Sequence, residues 1–248
     1  MINVICVKWG TKYTHKDVNR LLTMVERNLT IPFNFYCLTE DPSYIDPKVN
    51  IIPIKHDHLE VWWNKLAMFE EGFGDLEGKC LFFDLDVIIQ NNVDDIVNYC
   101  NTGLCKIHAY WKPDSVFDND KVGYHRYDMK NNSSCLVWNA NELGTIWEHF
   151  YDNEDLMLLK YRGIDRMIYW EDELNHYVST FPDEWFYSRC FGDGETDGQI
   201  PTDKIIKMYG DDFQLYLYDR PERKVCLLNG NKYFTEQELL QGLEKYYV

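Results

Sequence analysis

Cys80-Leu81-Phe82-Phe83-Asp84-Leu85-Asp86-Val87-Ile88-Ile89 is the stretch on which the reading of this chain turns. Residues 80–83 are apolar without alternation, as in a strand covered on both faces, and such strands lie inside parallel sheets. Asp84 and Asp86 follow at the strand's carboxyl end, where open α/β sheets bind ligands. At i and i+2 on an extended backbone, two side chains share a face. Paired carboxylates repel unless a cation sits between them, and an all-oxygen donor set suits magnesium or manganese. A divalent ion held there can neutralise a diphosphate and support its departure as a leaving group.

Upstream, strand and helix signals alternate. Residues 2–7 read as a buried strand and residues 8–13 as a polar turn containing Gly10. Thr14 with Asp17 forms a capping box that opens a helix, and Val18, Leu21, Leu22 and Val25 fall on one face of it. Residues 33–38 and 49–54 are further strands, and residues 62–71 are expected to be a helix ended by Gly72 and Gly74. Downstream, residues 134–138 read as a strand, 140–151 and 163–170 as helices, and 225–228 as a strand. Thr235 with Glu238 opens a C-terminal helix, and the Gly- and Asp-rich stretch 191–202 reads as a loop. The alternation implies an α/β fold with a mostly parallel, Rossmann-like central sheet. With no repeat or linker evident, one domain over 1–248 is expected.

The chain of 248 residues carries a formal charge of −16. So acidic a surface repels phosphate backbones and anionic membranes, which argues against nucleic acid and lipid partners. An anionic ligand needs a local cation, and Lys65 ahead of the Asp84 strand supplies a fixed one. Eight cysteines occur, with no Cys-x-x-Cys pair, mostly in apolar runs. They read as small buried hydrophobes of a reduced protein, and with no run of membrane-spanning length a cytoplasmic location is expected.

Trp63-Asn64-Lys65-Leu66 followed by Leu81-Phe82-Phe83-Asp84-Leu85-Asp86-Val87 resembles the GT-A fold glycosyltransferases, above all the glycogenin-like family 8 and related bacterial and viral sugar transferases. The likeness extends over most of the chain and implies a nucleotide-binding half at 1–90 and an acceptor-side half at 91–248. Lys8-Trp9-Gly10-Thr11-Lys12-Tyr13 matches the family's nucleotide-holding turn, and Lys65 its donor-contacting cation. Asn132-Ser133-Ser134 matches an Asn-Ser segment lining the sugar site. Gly163-Ile164-Asp165-Arg166 resembles a Gly-Asp-Gln segment with one residue inserted and Arg in place of Gln. Leu228-Asn229-Gly230-Asn231-Lys232 resembles the last motif, Asn229 standing where the family has a metal-binding His. The resemblance implies a metal-dependent enzyme taking a UDP- or GDP-sugar donor and a glycan or other acceptor. It further implies Mn2+ or Mg2+ on Asp84, Asp86 and Asn229, donor contacts from the turn, Lys65, Leu85, Asn132 and Ser133, and retention of anomeric configuration. Asp165 would then steady the positive charge at the anomeric carbon.

Two other classes fit the same Asp pair: a haloacid-dehalogenase-like phosphatase, and a non-catalytic nucleotide-sugar or glycan-binding module. The phosphatase motif usually lies near the N-terminus and continues into Gly-Thr, whereas this one lies mid-chain and continues Val87-Ile88-Ile89. His56-Asp57-His58 has transition-metal ligand types at short spacing but no third ligand at matching spacing except Glu60. Trp62 and Trp63 are candidates for a sugar platform, with one ring of the pair expected in the core.

Overall fold

The computed structural model describes residues 1–111, 130–192, 215–229 and 234–247. Its framework is a seven-stranded sheet in the order β3-β2-β1-β4-β7-β6-β8. The strands are β1 (Ile2–Lys8), β2 (Phe33–Thr39), β3 (Val49–Pro53), β4 (Lys79–Phe83), β6 (Leu104–His108), β7 (Asn131–Asn139) and β8 (Val178–Thr180). β3, β2, β1 and β4 run parallel, β7 is antiparallel to both β4 and β6, and β6 is parallel to β8. A smaller sheet orders β5 (Val87–Ile89), β10 (Val225–Leu227) and β9 (Phe186–Ser188). The expected α/β class with a mostly parallel central sheet is what forms.

One face of the large sheet is covered by α1 (His15–Asn28), whose Val18, Leu21, Leu22 and Val25 are all buried, as their helical spacing requires. Both halves of the Thr14–Asp17 capping box are made, a device worth about 1 kcal/mol. The other face is covered by the 3₁₀ segment Val61–Phe69 and by α3 (Gly144–Tyr151), α4 (Glu154–Lys160) and α5 (Ile164–Trp170). Two short helices, α2 (Asp94–Tyr99) and α6 (Asp172–Asn175), and the terminal α7 (Glu236–Leu240) complete the set. The capping box of α7 on Thr235 and Glu238 is also present.

Several local expectations are corrected. The helix expected at 62–71 is 3₁₀ rather than α. Asn64 Nδ2 donates to the carbonyls of Leu59 (3.0 Å) and Val61 (3.2 Å), taking an acceptor that an α-helical Lys65 N–H would use. The helix expected from residue 140 starts at Gly144. Asn141 adopts φ 66° there, and its side chain bridges Gly72 N (2.9 Å) and Leu76 O (3.3 Å), making a turn. After Asp84 the chain turns at residues 85–86 instead of staying extended, because β4 belongs to the large sheet and β5 leaves to pair with β10. Cys100 and Cys105, expected reduced, are paired as a disulfide with Cα atoms 5.8 Å apart. The other six cysteines are buried free thiols, as their apolar settings suggested.

Candidate active site at the carboxyl end of β4

The turn after β1 is tied to the chain following β2. Lys8, at the end of β1, is buried and donates to Asp41 O at 3.1 Å. Gly10 has φ +64°, and its N–H donates to Glu40 Oε1 at 2.6 Å. Trp9 is half-buried in this turn and Thr11 is exposed. The turn delivers Lys12 and Tyr13 to the second aspartate. The Tyr13 hydroxyl donates to Asp86 Oδ2 at 2.8 Å, and Lys12 Nζ lies 3.7 Å from the same oxygen. Burial, and then the charge of Asp86, push the Tyr13 hydroxyl well above its ordinary value, so Tyr13 is the donor in this pair.

The first aspartate is held from the opposite side. Asp84 N donates to Ser134 O at 3.0 Å, which fixes the backbone where β4 ends. Lys65 Nζ sits 2.7 Å from Asp84 Oδ1 and 2.9 Å from Oδ2, with its side chain only 10 % exposed. Lys65 is therefore no solvated surface lysine. Burial raises the Asp84 carboxyl above its usual range, Lys65 opposes that, and Asp86 reinforces it. A half-buried acid with a second acid beside it is relieved by positive charge, and Lys65 supplies part of it.

Ser133 of β7 extends the chain of contacts. Its hydroxyl accepts from Lys65 Nζ and donates to Asp165 Oδ2, each at 3.2 Å. Asp165, in the first turn of α5, also lies 3.1 Å from Lys106 Nζ through Oδ1. These groups border a cavity of about 200 Å³ walled by Lys65 and Asp84, by Asn132, Ser133 and Ser134, and by residues 162–166 with Trp62 as a flank. Asn132 lines it while its side-chain oxygen accepts Ser134 N–H at 2.9 Å. Trp62 and Trp63 divide as expected: Trp63 is buried and stacks on Phe150 at 5.3 Å, and Trp62 lines the cavity. Gly163 allows this approach, since a Cβ there would lie 2.4 Å from the Trp62 indole. Val61, just before Trp62, holds φ 54°, a conformation rare for a β-branched residue and one that clusters at functional sites.

The structure thus brings Lys65, Asp84, Asn132, Ser133 and Asp165 to one cavity, with Lys12, Tyr13 and Asp86 adjoining through the turn. Leu85 instead packs in the core. Asn229 accepts a hydrogen bond from the Ser188 hydroxyl, one residue beyond Leu228, whose N–H donates to Asp86 O at 3.0 Å. Gly230, Asn231, Lys232 and most of the 191–202 loop lie outside the described residues. His56 and His58 do not converge on a metal site: His56 pairs with Glu70 at 3.1 Å and His58 with Glu154 at 3.0 Å. Among the described residues, no group of three or more His, Cys, Asp or Glu is placed to hold a metal ion. Asp84 and Asp86 offer the carboxylate oxygens that a hard divalent ion prefers, while the Asn229 side-chain oxygen already accepts from Ser188. Arg162, which lines the cavity, and Lys106, which stands behind it on Asp165, are residues that the sequence reading missed. The one signal available was a lysine inside the apolar run Leu104-Cys105-Lys106-Ile107.

The fold is shared with solved glycosyltransferases. The galactosyltransferase LgtC, in complex with donor and acceptor sugar analogues, matches with a TM-score of 0.58 at 11% identity, over 98% of this chain and 93% of that one. An active-site mutant of LgtC matches at 0.54 and 11% identity, over 97% and 95%. The glycosyltransferase GlyE of Streptococcus pneumoniae matches at 0.56 and 13% identity, over 96% of this chain and 56% of that one. No family model matches the sequence, and no curated protein matches it. The chain has the GT-A-type glycosyltransferase fold. No helix among the described residues is long and apolar enough to cross a membrane.

Proposed function

We propose that the protein is a metal-dependent glycosyltransferase that takes a nucleotide-sugar donor and passes its sugar to a glycan or other acceptor with retention of configuration. The observation that carries this reading is the linked series Asp84–Lys65–Ser133–Asp165 along one cavity, at the carboxyl end of β4 in a glycosyltransferase fold. At about 200 Å³ the cavity is smaller than the ~300–1,000 Å³ of pockets for drug-sized ligands, and suits one sugar ring rather than a whole donor. The turn at residues 8–13 then takes the nucleotide, and the diphosphate crosses Asp84 and Asp86.

Asp84 and Asp86, with Asn229 as the third candidate, are the residues that would hold Mn2+ or Mg2+. Such an ion neutralises the diphosphate and eases its departure. Lys65 binds the donor through a charge-assisted hydrogen bond, and Trp62 offers a flat face to the ring. Asp165 stabilises the positive charge that develops at the anomeric carbon. A departing diphosphate oxygen takes the acceptor's proton, so no side chain is required as general base. The shared fold favours sugar transfer over the phosphatase reading of the Asp pair. The test is a screen of nucleotide-sugars by thermal unfolding, with and without manganese. A true donor stabilises by mass action, by about 2.7 kcal/mol at a hundredfold excess over Kd, and only with the metal present. Equal melting with every nucleotide-sugar counts against the reading.

A further inference from the structure

Lys106 lies in the middle of β6, 0 % exposed, on the side of the sheet that α5 covers. Nothing in the transfer chemistry above uses it. A lone ammonium in such a place is strongly disfavoured, and the core alternative of an apolar side chain is often neutral or better for stability. Its Nζ is 3.1 Å from Asp165 Oδ1, while Asp165 Oδ2 accepts from Ser133. Both oxygens of the carboxylate thus have a partner, and two contacts fix the plane of the group. The charged neighbours of Lys106 are Asp165 on α5 and Lys65 on the 3₁₀ segment. Burial lowers its proton affinity, Asp165 raises it and Lys65 lowers it further. Lys106 does not line the cavity, whereas Asp165 does.

We propose that Lys106 is a positioning residue: from behind the cavity wall it keeps the Asp165 carboxylate charged and held in one orientation toward the sugar ring. This rests on the transferase reading. A partly buried carboxylate that loses a cationic neighbour takes up a proton more readily, so without Lys106 the Asp165 carboxylate, its side chain 22% exposed, is ionised less readily and is less able to stabilise positive charge. Lys106 acts only through Asp165.

The experiment compares Lys106→Met, Lys106→Arg, Asp165→Asn and the double variant Lys106→Met/Asp165→Asn in the full chain. Lys106→Met should lower kcat about tenfold or more, the scale of a lost charged hydrogen bond. Donor KM should move less than about twofold, because the loss is felt in the transition state. Lys106→Arg should recover part of the rate. Carbon-13 NMR of labelled aspartate should show the Asp165 carboxyl titrating at higher pH in Lys106→Met than in the wild type. If Lys106→Met does not fold, the double variant decides. It should be no slower than Asp165→Asn, since residues acting as a unit are not additive. Wild-type kcat in Lys106→Met, an unmoved Asp165 titration, or a double variant slower than Asp165→Asn overturns the proposal. If the wild type transfers no sugar from any donor, the transferase reading fails, and the titration still decides whether Lys106 governs the charge of Asp165.

Discussion

The Tyr13 hydroxyl donates to Asp86 Oδ2 at 2.8 Å across 73 residues of sequence, joining the turn after β1 to the second of two adjacent acids. One contact therefore couples the proposed nucleotide turn to the proposed metal site. Hydrogen bonds to a ligating carboxylate orient it, and losing one typically costs about 10–100-fold in metal affinity. Tyr13→Phe keeps the ring and removes only this bond. It should weaken manganese binding, measured by calorimetry, about tenfold or more while the melting temperature stays near that of the wild type.

Lys65→Met removes the cation that touches both Asp84 oxygens. Donor use, read as kcat/KM, should fall about tenfold or more. A variant with wild-type kcat/KM would confine Lys65 to holding Asp84.

Gly163→Ala tests the close approach at the cavity wall. The added methyl meets the Trp62 indole at 2.4 Å, in a backbone conformation of φ +154° that other residues rarely adopt. Strain of this kind costs on the order of 1–3 kcal/mol. The variant should melt lower and lose donor affinity together, with a change in tryptophan fluorescence reporting the displaced ring.

A pH test lies away from the cavity. Glu171 is partly buried, which raises its carboxyl, but hydrogen bonds from Lys160 (2.6 Å) and Tyr161 outweigh this and hold it below its ordinary value of 4.5. Its depressed folded value means that the contribution is complete above the unfolded value and is lost as pH falls through the folded one. Glu171→Gln should therefore cost about 1–2 kcal/mol by denaturant titration at pH 7, and nearly nothing once the pH has fallen below the depressed folded value.

Much of the framework was legible because its signals are local. The unbroken apolar run before Asp84 marked β4, and the Thr14 and Thr235 capping boxes placed two helix starts that both form. The cavity was legible only in part. Lys65 was singled out by its place ahead of the Asp84 strand, but Lys106 reaches Asp165 across a β6–α5 packing that no spacing within 59 residues reveals. The turn at residues 85–86 escaped for a similar reason. It depends on β5 pairing with β10 more than a hundred residues later, a partner set by topology. At the start of Val61–Phe69 the Asn64 side chain occupies the Leu59 and Val61 carbonyls, a contact that helical periodicity does not announce.

The most direct measurement of the central claim is release of nucleoside diphosphate from the donor that the thermal screen selects. It would be followed with and without manganese, in the wild type and in Asp86→Ala. The account predicts turnover by the wild type that stops in excess chelator and returns with manganese. It predicts a fall of about a hundredfold or more in Asp86→Ala with the fold intact, in line with the loss of several kcal/mol of electrostatic stabilisation. Turnover that persists in chelator, or an Asp86→Ala variant as fast as the wild type, would contradict it.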